Sequence, residues 1–213
     1  MAPSDTPVRL DVWSDYVCPF CYLELPVLQQ LHARLGAALD IHWRAFELRP
    51  APVRPLAPMS ELPRSAWPRA VYPMAEQRGL TMQPPPVQPR SRLALEAAEF
   101  AKDTGSFTPF HEALFRAFFE DGRDIGDLGV LGDLAEDVGL DRESMTRALE
   151  ASRYTARVLA DEEEAHRLGI RGVPAMRLAG KGPVLLLNGA QPEEAVRAAF
   201  ARVRPDPTLS ALH

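Results

Sequence analysis

The stretch Trp13-Ser14-Asp15-Tyr16-Val17-Cys18-Pro19-Phe20-Cys21-Tyr22 constrains this chain more than any other, because it holds both of its cysteines, separated by two residues. Before it, Val8, Leu10 and Val12 alternate with Arg9, Asp11 and Trp13, a period-two pattern that predicts a half-buried strand. After it, Tyr22, Leu25, Leu28, Leu31 and Leu35 recur at helical spacing. The cysteines therefore sit where a strand hands over to a helix. A helix start exposes backbone N–H groups without intrahelical partners and carries the positive end of the helix dipole, and both favour an anion such as a thiolate. Pro19 suits the first helical position, where its missing N–H costs nothing. Cys18 is then expected to be the more exposed thiol with the lower pKa, and Cys21, one turn on, to be close enough to form a disulfide with it.

Other uses of two cysteines fit less well. A structural zinc site needs two further ligands, yet His32, His42, His111 and His166 are scattered singly, so no metal site is expected. A purely structural disulfide closing so short a loop stabilises little and is easily reduced. The net charge of −5 and the presence of only two lysines, Lys102 and Lys181, speak against a nucleic-acid surface. No run is apolar enough to span a bilayer, and the first seven residues lack the basic and apolar regions of a signal peptide. The expected compartment is the cytoplasm, where a disulfide is normally transient and catalytic.

Residues 39–46 alternate as a second strand, which the helix between them places parallel to the first, as in the opening half of a thioredoxin fold. A proline-studded stretch follows over 50–63, either a linker or an ordered crossing over the rim of the site. Residues 64–79 read as a helix interrupted by Pro68 and Pro73, and 91–102 as a helix capped by Ser91. Phe110, Leu114, Phe115, Phe118 and Phe119 form an apolar stripe that belongs to a core, and helical patterns continue over 125–138, 141–149 and 152–168. Asp161-Glu162-Glu163-Glu164 reads as a solvated helix face supported by Glu163 with Arg167. After Gly169 comes a glycine-bearing turn and Pro174, then two short strands joined at Gly180-Lys181-Gly182-Pro183, a last helix opened by Pro192, and a loose tail over 205–213. The expected organisation is a domain from 1–50 and 168–213, interrupted by a helical insertion over 51–167.

Four segments together carry a resemblance: Trp13-Ser14-Asp15 with Cys18-Pro19-Phe20-Cys21-Tyr22, Phe46-Glu47-Leu48-Arg49-Pro50, Gly169-Ile170-Arg171-Gly172-Val173-Pro174, and Gly189-Ala190-Gln191-Pro192-Glu193. In these the chain resembles the FrnE-like branch of the DsbA family. The resemblance implies an α/β, thioredoxin-like fold with a large all-helical insertion, and thiol-disulfide oxidoreductase activity. It also implies a cis peptide bond at Val173-Pro174, facing the cysteines. On that reading Cys18 attacks a substrate disulfide and Cys21 resolves the mixed disulfide. Pro19 and Phe20 surround the reactive sulfur, and Val173 and Pro174 bind an extended substrate segment. A carboxylate relaying the Cys21 proton would be Asp15 or Glu24, the nearest in sequence. No cofactor beyond the redox-active disulfide is implied, with glutathione possible as co-substrate. The partners are a disulfide- or dithiol-containing protein or small molecule and a redox partner. Two alternatives stand beside this reading. In 2-hydroxychromene-2-carboxylate isomerases and kappa-class glutathione transferases a serine replaces the first motif cysteine and an Asn-Ser/Thr pair opens a helix, whereas here the positions read Cys18 and Arg90-Ser91. The other is a non-catalytic, chaperone-like redox sensor.

Overall fold

The computed structural model describes residues 6–54 and 67–204; the expectations for 55–63 and for the tail beyond 204 lie outside the described residues. Strand β1 (Val8–Ser14) runs through the turn at Tyr16 and Val17 into helix α1 (Pro19–Leu35). Gly36, with φ of 52°, ends α1 in a conformation that few side chains tolerate, and a short 3-10 turn, Gly36–Ala38, leads into β2 (Leu39–Ala45). β2 lies parallel to β1, Val8 facing Leu39 and Ser14 facing Ala45.

The chain then leaves the sheet. A π-turn at Trp67–Val71 continues into α2 (Tyr72–Gln77), as expected within 64–79, of which 64–66 lie outside the described residues. Pro68 and Pro73 each sit near the start of one of these segments, where a missing N–H is tolerated. Helices α3 (Arg92–Asp103), α4 (Phe107–Phe119), α5 (Leu128–Asp137), α6 (Arg142–Glu150) and α7 (Thr155–Arg167) follow. Their common core holds Phe110, Leu114, Phe115 and Phe118, all without solvent exposure, as the apolar stripe required. Asp127 and Asp141 cap α5 and α6 by accepting hydrogen bonds from Val130 and Ser144. Ser91 does not cap α3. Its backbone is already helical and its buried side chain turns inward, towards Asp15.

Strands β3 (Ala175–Ala179) and β4 (Leu185–Asn188) complete a sheet ordered β2-β1-β3-β4, β3 antiparallel to both its neighbours, and α8 (Glu193–Val203) closes the fold. The turn between β3 and β4 is pressed onto the end of α8, where Gly182 donates to the Val203 carbonyl at 2.8 Å and a Cβ on Gly180 or Gly182 would strike that backbone. One sheet face, built on Leu10, Val12, Met176 and Leu178, is covered by α1 and α8 through Leu28, Leu31, Val196 and Phe200. The other is covered by α7, with Trp13, Phe46, Ala165, Ile170 and Ala175 at its centre. Among the described residues no helix is long and apolar enough to cross a membrane.

The face under α7 corrects the reading of the acidic stretch. Asp161 and Glu162 are buried, and of the four only Glu163 is exposed. Asp161 accepts from the Ala45 N–H at 3.0 Å and from Arg44 at 2.9 Å, while its carbonyl takes the Trp13 indole N–H at 2.9 Å. Glu162 accepts from the Glu47 N–H at 3.1 Å, and Arg92 bridges Glu47 and Glu162. Helical periodicity places four consecutive acids around the helix; that two of them meet the unpaired edge of β2 is a tertiary fact.

Candidate active site at the start of helix α1

Cys18 is the N-cap residue of α1, with extended backbone angles, and Pro19 is its first helical residue. The Cys18 N–H donates to the Asp15 carbonyl at 3.1 Å, and the N–H groups of Cys21 and Tyr22 return to the Cys18 carbonyl at 3.0 and 3.3 Å. These bonds bring the two sulfurs onto one side of the first turn, within hydrogen-bond reach of each other. Both cysteines are free thiols. Both are also buried, Cys18 at 4% exposure and Cys21 at 0%, so Cys18 is the more accessible by a small margin and does not stand open to solvent. The cause is the loop across from it. The Cys18 thiol donates to the Val173 carbonyl at 3.4 Å, next to a Val173–Pro174 peptide bond that is cis.

The other residues singled out from the sequence gather around this contact. Pro19 and Phe20 are half-buried at the helix start, Val173 is half-buried, and Pro174 is buried. The Pro174 carbonyl accepts from the Gly189 N–H at 2.8 Å, tying the proline loop to the segment before α8. That segment is held in turn by Glu24, which accepts from the Gln191 N–H at 2.9 Å, and by Arg78, which donates to the Gln191 carbonyl at 2.7 Å and the Leu23 carbonyl at 2.6 Å. Segments nearly 170 residues apart in sequence are thus clamped beside the cysteines.

Burial pushes the Cys21 thiol well above its ordinary range, and the neighbouring Cys18 adds to this, while the Asp15 N–H and the Ser14 hydroxyl pull the other way. Neither carboxylate nearest in sequence makes a hydrogen bond to Cys21. Asp15 is fully buried and pins the loop by accepting from Leu48 at 2.8 Å and Val17 at 3.2 Å. Burial raises it to about 6 despite those donors, Ser91 and Arg49. Glu24, raised by burial to about 7, gives its Oε2 to Gln191 and Arg78, while its buried Oε1 has no hydrogen-bond partner. Ser91 is enclosed beside Asp15, and Arg90 reaches the Arg49 and Val53 carbonyls.

Sequence reasoning missed three participants around the site. Arg78 carries no local signal of its role as a clamp, Ser14 looks like an ordinary strand terminus, and His111 is a lone histidine on an apolar helix. His111 is buried with its Nδ1 2.7 Å from the Tyr16 hydroxyl and packs against Trp43, Phe107 and Phe115. Among the described residues no group of three or more His, Cys, Asp or Glu side chains could hold a metal ion.

A model of the DSBA-like thioredoxin domain matches residues 9–201. The uncharacterized protein YwbO of Bacillus subtilis (strain 168) is 37% identical over 150 residues, 69% of this chain and 74% of that protein. Among solved structures, a probable DsbA oxidoreductase from Streptomyces coelicolor is similar with a TM-score of 0.79 at 27% identity, over 93% of this chain and 91% of that one. A 2-hydroxychromene-2-carboxylate isomerase has the same fold, with a TM-score of 0.76 at 19% identity over 95% of this chain and all of that one. A four-stranded sheet with helices inserted after its second strand, a thiol pair at its first helix start and a family match from β1 into α8 lead to one conclusion: the chain belongs to the DSBA-like thioredoxin domain family.

Proposed function

We propose that this protein is a thiol-disulfide oxidoreductase whose reactive centre is Cys18-Pro19-Phe20-Cys21, with the Val173–Pro174 loop as its substrate-binding edge. The observation that carries the reading is the Cys18 sulfur at a helix N-terminus, within reach of the Cys21 sulfur and 3.4 Å from the Val173 carbonyl. The positive end of the helix dipole favours an anionic sulfur at that point. Cys18 attacks a substrate disulfide, releasing one thiol and leaving a mixed disulfide; Cys21 attacks Cys18, releasing the second thiol and closing the Cys18–Cys21 disulfide. A reducing partner, a dithiol protein or glutathione, restores the thiols, and run in reverse the same steps oxidise a dithiol substrate. An extended substrate strand displaces the Cys18 thiol from the Val173 carbonyl and takes its place as hydrogen-bond donor. Pro19 and Phe20 shape the approach to the sulfur.

The fold is shared with a glutathione-using isomerase class, but here a thiol stands at position 18 and Ser91 is enclosed against Asp15. Insulin-disulfide reduction by a dithiol reductant, with Cys18→Ser and Cys21→Ser variants, tests the proposal. Loss of turnover in both is expected; full turnover in either, or glutathione conjugation without dithiol exchange, contradicts it.

A further inference from the structure

A substrate strand gains from the Val173 carbonyl only if that carbonyl is already held beside the Cys18 sulfur, because a loop that must be ordered on binding costs affinity. On one side the loop is tied to the middle of the sheet, where Ala175 faces Trp13 across β3 and β1. On the other side Ala175 faces Asn188 of β4, and the Gly189 N–H donates to the Pro174 carbonyl at 2.8 Å. That second side is the weaker, since β4 is a four-residue strand at the edge of the sheet, and just beyond it Gly189 turns the chain away at φ of 78°. It needs a support from outside the sheet.

The support is built on Gln191. Its N–H donates to Glu24 Oε2 at 2.9 Å, its carbonyl accepts from Arg78 Nη2 at 2.7 Å, and its side-chain amide donates to the Asn188 carbonyl at 2.8 Å. Glu24 lies one turn beyond Cys21 on α1, the helix of the cysteines. Arg78 comes from elsewhere, at the C-terminal end of α2, among the helices inserted after β2. The same guanidinium donates through Nη1 to the Leu23 carbonyl at 2.6 Å and to Glu24 Oε2 at 3.3 Å. Three parts of the fold thus meet on one planar group. Its N–H directions are fixed, so it sets the spacing between the Leu23 and Gln191 carbonyls. The Arg78 side chain is only 11% exposed, which leaves water little room to compete for these bonds.

We propose that Arg78 is the positioning residue of the substrate edge: by holding Gln191 against α1, it fixes the Val173–Pro174 loop relative to Cys18 and so sets the affinity for a disulfide carried on an extended polypeptide. This rests on the dithiol reading above and adds that the inserted helices, through α2, take part in substrate binding. The contacts are continuous. Arg78 holds the Gln191 carbonyl, the Gln191 side chain holds the Asn188 and Gly189 carbonyls, and the Gly189 N–H holds Pro174, the covalent neighbour of Val173. A disulfide without a peptide backbone cannot pair with the Val173 carbonyl as a strand does, so its reaction with Cys18 does not depend on Arg78.

Two probes separate binding from chemistry in the reduced full-length protein. The first coloured thiolate released from 5,5′-dithiobis(2-nitrobenzoate), which has no backbone, reports attack by Cys18. Insulin, with dithiothreitol as reductant, presents its disulfides on polypeptide. Arg78→Met is expected to raise KM for insulin at least about fivefold while kcat and the first thiolate release stay within about twofold of wild type, the pattern of lost uniform binding. Arg78→Lys, whose single ammonium cannot span both carbonyls, should fall between the two, with KM raised at least about twofold. If Arg78→Met does not fold, so that both its thiols react as in the unfolded chain, Arg78→Lys carries the test. An unchanged KM in folded Arg78→Met, or in Arg78→Lys in its place, overturns the proposal, as does slowing of the first release by the same factor as insulin turnover. Wild-type protein that does not reduce insulin instead overturns the dithiol reading itself.

Discussion

The two faces of the sheet are built on different physics. The face under α1 and α8 packs apolar side chains together, from Leu10 and Val12 to Phe200. Under α7, Asp11, at 1% exposure, pairs with Arg9, Arg44 and Arg177, and Asp161 and Glu162 meet Arg44 and Arg92. Apolar burial is non-directional and holds two helices against strands by area alone. A buried ionic face recovers its desolvation cost only where every partner is in place, so it stabilises less and specifies more. Here it specifies where α7 returns the chain to the sheet: the Asp161 carboxylate takes the Ala45 N–H and the Glu162 carboxylate the Glu47 N–H, just before the Leu48 N–H that pins Asp15 under the cysteine loop.

Truncation on the apolar face should have the larger effect. Phe200→Ala is expected to cost about 3–5 kcal/mol, seen as a lower urea midpoint. Asp161→Ala strands the Ala45 N–H and leaves Arg44 with Asp11 alone, and is expected to cost about 2–3 kcal/mol. A double-mutant cycle with Arg44 sharpens the contrast, with a coupling of about 1–2 kcal/mol expected there. Additive effects at Asp161 and Arg44 would mean that the ionic face is a bystander.

The pH dependence separates the clamp carboxylates from that ionic face. Glu24 and Asp15 titrate in the folded chain at about 7 and about 6, against about 4 when unfolded. Between those limits the folded state holds protons that the unfolded state has lost, so both groups add stability as pH falls from about 7 towards 4. Glu24→Gln should remove a gain of about 2 kcal/mol between pH 7 and 5. Asp11 has the opposite sign. Burial alone would raise it, but hydrogen bonds from Arg9 and Arg44 outweigh burial and hold the carboxyl below its usual range. Its stabilisation is present above about pH 4 and is lost as pH falls through its folded value. Urea denaturation stepped through pH reads both.

These contrasts mark how far the chain was legible without coordinates. Alternation placed β1 and β2, helical spacing placed the phenylalanine core, and the cysteine spacing at the strand-to-helix junction placed the two thiols in one helical turn, because each is a local pattern. The burial of Asp161 and Glu162 was not legible, since it depends on which face of α7 meets the edge of β2. Nor were Arg78 and His111, whose partners lie across the fold. Ser91 misled because a serine before a helix is usually a cap, and here a buried carboxyl lay opposite. The smallest expected effect lies in that acidic stretch: Glu163→Gln, on the exposed side of α7, should shift stability by no more than about 0.5 kcal/mol.

The central claim is that the sulfur at position 18 attacks and the sulfur at position 21 resolves. Intact-mass analysis of the Cys21→Ser protein after exposure to oxidised glutathione tests it most directly. One glutathione per chain, mapped to Cys18 and released by a dithiol, is the result predicted; an unmodified Cys18 in a folded Cys21→Ser protein would contradict the account.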